Sequence, residues 1–161
     1  MFRKEKRTPA EELARDLAGR VLDPDACRRA AATLPGRPAP DPVGSCEMAF
    51  AGAATLKHLI ADTQPPAIAA RMNGVVDAAL AEAFGGANTP ETGEHYGQES
   101  LPQAAAKAVE RYGADAFFSK RVAETVAARL GIAGKPPPRT AQVFSDITRD
   151  AALAIAAARI E

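Results

Sequence analysis

Hydrophobic residues recur along most of this chain at the three- and four-residue spacing of amphipathic helices, with polar residues between them. Seven segments follow this spacing, and the turns between them are rich in proline and glycine. No segment has the strict alternation that predicts a β-strand. The pattern therefore predicts an all-α fold, a compact bundle of about six or seven short helices.

Residues 65–84 are apolar on two sides when placed on a helix. The larger apolar side chains fall on one face: Ile68, Met72, Val75, Val76, Ala79, Leu80 and Ala83. Small residues alone form a second face: Ala67, Ala70, Gly74, Ala78 and Ala81. Because a helix that is apolar on two sides is normally covered on both, we expect this segment to be the central helix of the bundle.

Proline and glycine divide the rest of the chain into three parts. Residues 1–34 are predicted to be an N-terminal helical arm, and residues 35–44 a linker whose four prolines favour an extended backbone. Residues 45–161 are predicted to form the main helical domain. Two short helices within the arm cannot bury a core of their own, so we expect them to dock on the main domain or on a partner.

The first helix of the main domain is predicted to run from Cys46 to about Ala61, with Ser45 as its cap. Its apolar arc is expected to be Met48, Ala49, Ala53, Leu56, Leu59 and Ile60. Glu47, Lys57 and His58 lie away from that arc, so the pattern assigns them to the polar side of the helix.

Composition supports closely packed helices around a thin core. Alanine supplies 38 of the 161 residues, whereas leucine, isoleucine, valine and phenylalanine together supply 30. Such a low share of large apolar residues can indicate disorder, but disorder also requires a high net charge. Here 20 basic residues balance 20 acidic ones, which favours a folded domain.

The sequence is also expected to be that of a cytoplasmic protein with no membrane contact. No apolar run approaches the roughly 20 residues needed to cross a bilayer, and the charged segment after the basic N-terminus does not form a secretory signal. Cys27 and Cys46 have neither a metal-binding nor a redox spacing. We therefore expect two reduced, structural thiols.

Charge is distributed unevenly although the net charge is zero. Residues 38–115 carry 10 acidic and 4 basic groups, and both ends of the chain carry more basic than acidic groups. The arrangement could steer a partner or make parts of the domain complementary to one another. The second interpretation is the simpler one.

Residues 85–99 form the longest irregular stretch predicted outside the linker. One imidazole and three carboxylates lie within it, at His95, Glu91, Glu94 and Glu99, and could bind a divalent ion or move a proton. Because no other residues are seen to hold these ligands in place, we expect a solvated acidic loop. The sequence therefore predicts no cofactor and no catalytic site.

A second candidate is a DNA-binding unit at residues 116–149. Ala127, followed four residues later by Gly131, is a spacing found in helix-turn-helix proteins. Five side chains would contact nucleic acid: Arg129, Lys135, Arg139, Thr140 and Gln142. The proline-rich turn that follows is too long for this motif, and Asp146 and Asp150 would face phosphates. Nucleic-acid binding is therefore the alternative hypothesis.

The main hypothesis is protein binding by a small non-catalytic regulator, adaptor or inhibitor. Leu153 and Ile160 lie on the side of the last helix opposite its main apolar stripe, and Phe117 lies off the apolar face of its own helix. Large apolar side chains in such positions are typical of a partner-binding surface. A homodimer would use the same surface.

Overall fold

The computed structural model describes residues 9–86, 89–97 and 100–158, and within them it contains eight α-helices and no strand. The helices are α1 (Pro9–Val21), α2 (Pro24–Ala31), α3 (Pro42–Thr63), α4 (Pro66–Ala83), α5 (Pro90–Tyr96), α6 (Leu101–Gly113), α7 (Ser119–Arg129) and α8 (Pro138–Ala158). The predicted all-α bundle is confirmed.

The α3 helix occupies the centre of the bundle and contacts each of the other seven helices. Fourteen of its 22 residues are buried, including nearly all of the segment from Val43 to Leu56. That segment contains only Ser45, Glu47 and Thr55 as polar residues. A helix that is apolar all round is expected to be surrounded by protein.

The prediction that residues 65–84 form the central helix was wrong. The α4 helix buries only Ala69, Met72, Val76 and Leu80, which pack mainly on α1 and α3. Its face of small residues is exposed to solvent: Ala67, Ala70, Gly74, Ala78 and Ala81. Alanine and glycine add little apolar area, so leaving this face uncovered costs little hydrophobic free energy.

The two N-terminal helices belong to the same core as the rest of the chain. Leu17 of α1 and Ala30 of α2 are buried in the hydrophobic core that also includes residues of α3, α4, α6, α7 and α8. The α3 helix begins at Pro42, with Asp41 as its cap, four residues before the start predicted from Ser45. Proline fits the first turn of a helix because that turn lacks backbone acceptors for its N–H groups.

Two further predictions need correction near the C-terminal half. Residues 85–99 were expected to be irregular, but Pro90–Tyr96 forms the short helix α5, which Thr89 caps through the backbone N–H of Thr92. The four-residue recurrence of Phe118, Val122 and Val126 predicts one buried helical face, but α7 begins only at Ser119 and Phe118 is 54 % exposed. Gly131 followed by Ile132 is a sequence typical of a helix C-terminus, and α7 ends in that way: Gly131 has a positive φ, and the N–H of Ile132 donates to the carbonyl of Ala127.

Two glycine-to-alanine variants test the positions of α3 and α4. Gly74→Ala should stabilise the protein by about 0.5–1 kcal/mol, because a Cβ there meets nothing within 4 Å and alanine favours helix. Gly52→Ala should destabilise it by about 1–2 kcal/mol, because its Cβ would lie 2.7 Å from Cγ1 of Val21. Urea unfolding measures both; equal destabilisation would mean that the small face of α4 is covered.

Candidate functional site

A buried carboxylate ties four helices together. Glu47, in the second turn of α3, has no exposed surface. Its Oε1 accepts hydrogen bonds from Tyr112 Oη at 2.7 Å and Arg129 Nε at 2.5 Å, and its Oε2 accepts one from Tyr96 Oη at 2.5 Å. One side chain from each of α5, α6 and α7 therefore holds α3. We call these four residues the Glu47 cluster.

The electrostatics of the Glu47 cluster favour a structural role. The pKa of Tyr96 and that of Tyr112 are raised well above the usual value, mainly by burial and secondly by the negative charge of Glu47. Both side chains therefore remain hydrogen-bond donors at neutral pH. The Arg129 guanidinium also lies over the Tyr112 ring, 5.5 Å from its centroid. Both carboxylate oxygens are satisfied, so the cluster aligns helices without leaving a free reactive group.

Sequence reasoning missed the Glu47 cluster. Glu47 was assigned to the polar side of its helix, and Tyr96 to an irregular stretch. The signal that could have found it is the composition of α3 around Glu47: no polar face exists there for a glutamate to join. An isolated acid in such a helix must be buried and therefore needs hydrogen-bond donors.

Both cysteines line a cleft of about 470 Å³ between α2, α3 and the end of α4. The pKa of Cys27 is raised to about 11 and that of Cys46 to about 12, mainly by burial and secondly by nearby negative charge. The Cys27 thiol also donates to the carbonyl of Val21 at 3.3 Å. The two groups therefore stay protonated at neutral pH, which fits structural thiols better than reactive ones.

Three large apolar side chains are exposed among the described residues: Phe117 by 67 %, Phe118 by 54 % and Leu153 by 64 %. We call these three side chains the apolar patch, since Arg149, one turn before Leu153 on α8, lines a cleft together with Phe117. The two phenylalanines lie in the turn between α6 and α7, and Leu153 lies on the exposed face of α8, one turn beyond Arg149. Phe117 and Leu153 are thus exposed, and their role in partner binding stays a prediction; Ile160 lies outside the described residues.

Asp115 organises the turn that carries the two phenylalanines. Its Oδ2 accepts hydrogen bonds from Thr125 Oγ1 at 2.7 Å and from Arg111 at 3.1 Å, which joins the end of α6 to α7. Its carbonyl accepts from the N–H of Phe118 at 3.0 Å. The aromatic rings therefore project from a turn that is fixed at both sides.

Two clefts flank the ring pair formed by His58 and Phe117, whose centroids are 4.5 Å apart. The α4–α6 cleft has about 550 Å³ and is lined by Ala54, Lys57, His58, Asp77, Leu80, Ala81, Pro102, Ala106, Val109, Glu110 and Gly113. The α7–α8 cleft has about 360 Å³ and is lined by Thr55, His58, Leu59, Asp62, Ala116, Phe117, Ser119, Ser145, Thr148 and Arg149. His58 therefore separates two hollows of one surface.

Three of the four residues considered for a metal site lie on α5. Glu91, Glu94 and His95 are exposed on that helix, and Glu99 lies outside the described residues. In the part of the chain that the structure describes, no three His, Cys, Asp or Glu side chains are placed to hold a metal ion. The side chain of this segment that reaches the buried cluster is Tyr96, which donates to Glu47.

Two of the five residues considered for nucleic-acid binding point into the protein. Arg129 pairs with the buried Glu47. Threonine after a proline-rich turn is a residue type that often caps a helix, but α8 begins at Pro138 and Thr140 is fully buried, with its hydroxyl 2.8 Å from that of Thr33. Neither side chain is available to a DNA groove in this arrangement.

The other three are on the surface. Lys135 is exposed in the turn before α8. Arg139 donates to the carbonyl of Thr33 at 3.3 Å, and Gln142 donates to Asp146 at 2.8 Å. These contacts are within the domain, and the acid beside Gln142 would repel phosphate.

Fold and site together define an all-α bundle with a buried ion-pair cluster and an exposed apolar patch. No protein-family model matches the chain, and neither the curated proteins nor the solved structures give a significant match. Within the described residues, no helix combines the length and hydropathy needed to cross a bilayer.

Removing the cation of the Glu47 cluster should be costly. Arg129→Met should destabilise the protein by about 3–5 kcal/mol, because it leaves a buried carboxylate without its counter-charge. Arg111→Met, which breaks the exposed pair with Asp115, should cost about 1 kcal/mol or less. Urea unfolding measures both changes.

A second substitution shows whether Arg129→Met destabilises the protein by removing the ion pair or by removing side-chain packing at Arg129. Glu47→Gln should recover part of the stability of the Arg129→Met variant, since a neutral amide costs less to bury than an unpaired carboxylate. If Glu47→Gln lowers stability further in that background, the ion pair is not what Arg129 supplies.

The buried thiols predict a loss of stability at alkaline pH. Because the folded pKa of Cys27 and of Cys46 lies above the value near 9 of an exposed thiol, the unfolded chain releases protons first as the pH rises. Stability should be complete below pH 9 and then fall by on the order of 1 kcal/mol per pH unit for each thiol.

A thiol-free variant supplies the comparison. In Cys27→Ala/Cys46→Ala the decline should begin nearer pH 10, where the tyrosines of the unfolded chain ionise while Tyr96 and Tyr112 do not. Urea titrations between pH 7 and 10.5 give the two slopes. Identical slopes would contradict the assignment to the thiols.

Proposed function

We propose that this protein is a non-catalytic regulator, adaptor or inhibitor that binds another protein through the apolar patch. The observation that carries the proposal is the exposure of Phe117, Phe118 and Leu153. Exposed aromatic side chains next to a cleft are typical of interaction surfaces, where they supply much of the binding free energy.

The fixed turn supports this proposal. Asp115 bonds to α6, α7 and the backbone of Phe118, so the two rings are held in place before a partner arrives. A surface that is already ordered loses less conformational entropy on binding. The rings also have local support, since Phe117 packs on His58 and Arg121 lies over Phe118.

The charged groups also favour binding over catalysis. Glu47 is the charged residue that is fully buried among the described residues, and its oxygens are occupied by Tyr96, Tyr112 and Arg129. We further propose a cytoplasmic location, where reducing conditions keep Cys27 and Cys46 as thiols. A second copy of this chain is the competing partner for the same patch.

Substitutions in the apolar patch should leave the fold unchanged. Phe117→Ser and Leu153→Ser should each change the free energy of unfolding by about 0.5 kcal/mol or less, because these side chains are mostly in water. Phe144→Ala is the control for a buried ring and should cost about 3–5 kcal/mol. A large loss at Phe117 would place that ring in the core and remove it from the proposed surface.

Site-specific photocrosslinking in the native cell tests partner binding. p-Benzoylphenylalanine at Phe117 should give covalent adducts with another protein, and the same group at Ala70, on the exposed face of α4, should not. Leu153→Ser should reduce the adducts at Phe117. Adducts with this chain alone would indicate a homodimer, and equal adduct patterns at both positions would contradict the proposed surface.

A further inference from the structure

The two clefts and the ring pair between them form one uneven surface along the last two turns of α3. His58 lines both clefts, and its ring packs edge-on against Phe117. Leu80 and Val109 line the α4–α6 cleft, and Leu59 lines the α7–α8 cleft together with Phe117. Clefts that contain apolar side chains beside an exposed aromatic ring suit a helix that presents apolar side chains along one face.

The charges on this surface leave a negative balance. Lys57 in the α4–α6 cleft pairs with Asp77 at 2.6 Å. Arg149 in the α7–α8 cleft lies 3.4 Å from Asp146 and 3.3 Å from Asp150. The cations of both clefts are therefore neutralised by neighbouring carboxylates.

One carboxylate in each cleft has no such partner. Glu110 lines the α4–α6 cleft and Asp62 lines the α7–α8 cleft, and neither forms an ion pair with any other described residue. Lys120 and Arg121, the cations nearest to the two phenylalanines in sequence, line neither cleft, and Arg121 lies over the Phe118 ring. Unpaired acids thus lie on both sides of the His58–Phe117 pair.

We propose that these two clefts bind a cationic amphipathic helix of the partner protein, with its apolar face on Phe117 and its basic side chains near Asp62 and Glu110. This inference rests on the proposed function and adds the chemistry of the partner. A basic helix would complement the unpaired carboxylates, and such complementarity raises the association rate and excludes acidic competitors.

Two designed peptides test the inference on the full-length protein. Both have about 18 residues, or five helical turns, and the same leucine face, with lysine in one and glutamate in the other at the polar positions. The lysine peptide should bind at least about tenfold more tightly at low salt, and this preference should shrink as salt rises. Fluorescence anisotropy with labelled peptides gives the dissociation constants.

Variants show whether the preference comes from the named residues. In Asp62→Asn/Glu110→Gln the preference for lysine should fall below about threefold, whereas Asp16→Asn, on the exposed face of α1, should leave it unchanged. Phe117→Ser should weaken the lysine peptide by about tenfold. Each variant is first checked for an unchanged unfolding transition.

The outcomes separate this inference from the function on which it rests. Equal binding of the two peptides, binding of neither, or a preference that persists in Asp62→Asn/Glu110→Gln would overturn the cationic helix. If photocrosslinking at Phe117 then still captures a partner whose contacting segment is neutral or acidic, the proposed function is supported and only the cationic helix is excluded. If p-benzoylphenylalanine at Phe117 gives no adduct with any protein, both the proposed function and this inference are wrong.

Discussion

The arrangement of the bundle depends on how the Glu47 carboxylate is kept out of water. Removing a carboxylate from water costs several kcal/mol unless charge and hydrogen bonds replace the lost hydration. Tyr96, Tyr112 and Arg129, which lie 49, 65 and 82 residues away in sequence, supply these bonds. Because all three must be present together, the contact favours the one arrangement in which α5, α6 and α7 have the correct register on α3.

This directional contact matters more in a core made largely of alanine. Small side chains pack closely but interlock weakly, so apolar burial alone distinguishes poorly between neighbouring helix registers. We infer that the Glu47 cluster supplies the missing specificity. Its last member, Arg129, is the final residue of α7, and Asp115 fixes the turn that precedes the same helix. Both ends of α7 are thereby held, which sets the position of Phe117.

Local signals predicted the helices well, whereas burial required knowledge of their neighbours. Gly131 ends α7 as expected because a positive φ is a property of that residue and its immediate neighbours. Which helix is central depends on the packing of all the other helices. The exposed face of α4 consists of alanine and glycine, and a face buried against another helix can have the same composition. Phe117 could be predicted to lie off the apolar face, but Glu47 could not be assigned partners, since none of them is close in sequence.

The same helix connects the buried cluster to the surface proposed for binding. The first half of α3 is enclosed by the bundle and holds Glu47, and its last two turns reach the surface, where His58 and Asp62 line the clefts. A rigid helix transmits its orientation from one end to the other, so the register set at Glu47 also sets the spacing between the clefts. Substitutions in the Glu47 cluster should therefore disturb the binding surface without touching it, because they remove the contacts that set this register, whereas substitutions of exposed side chains at the surface leave those contacts in place.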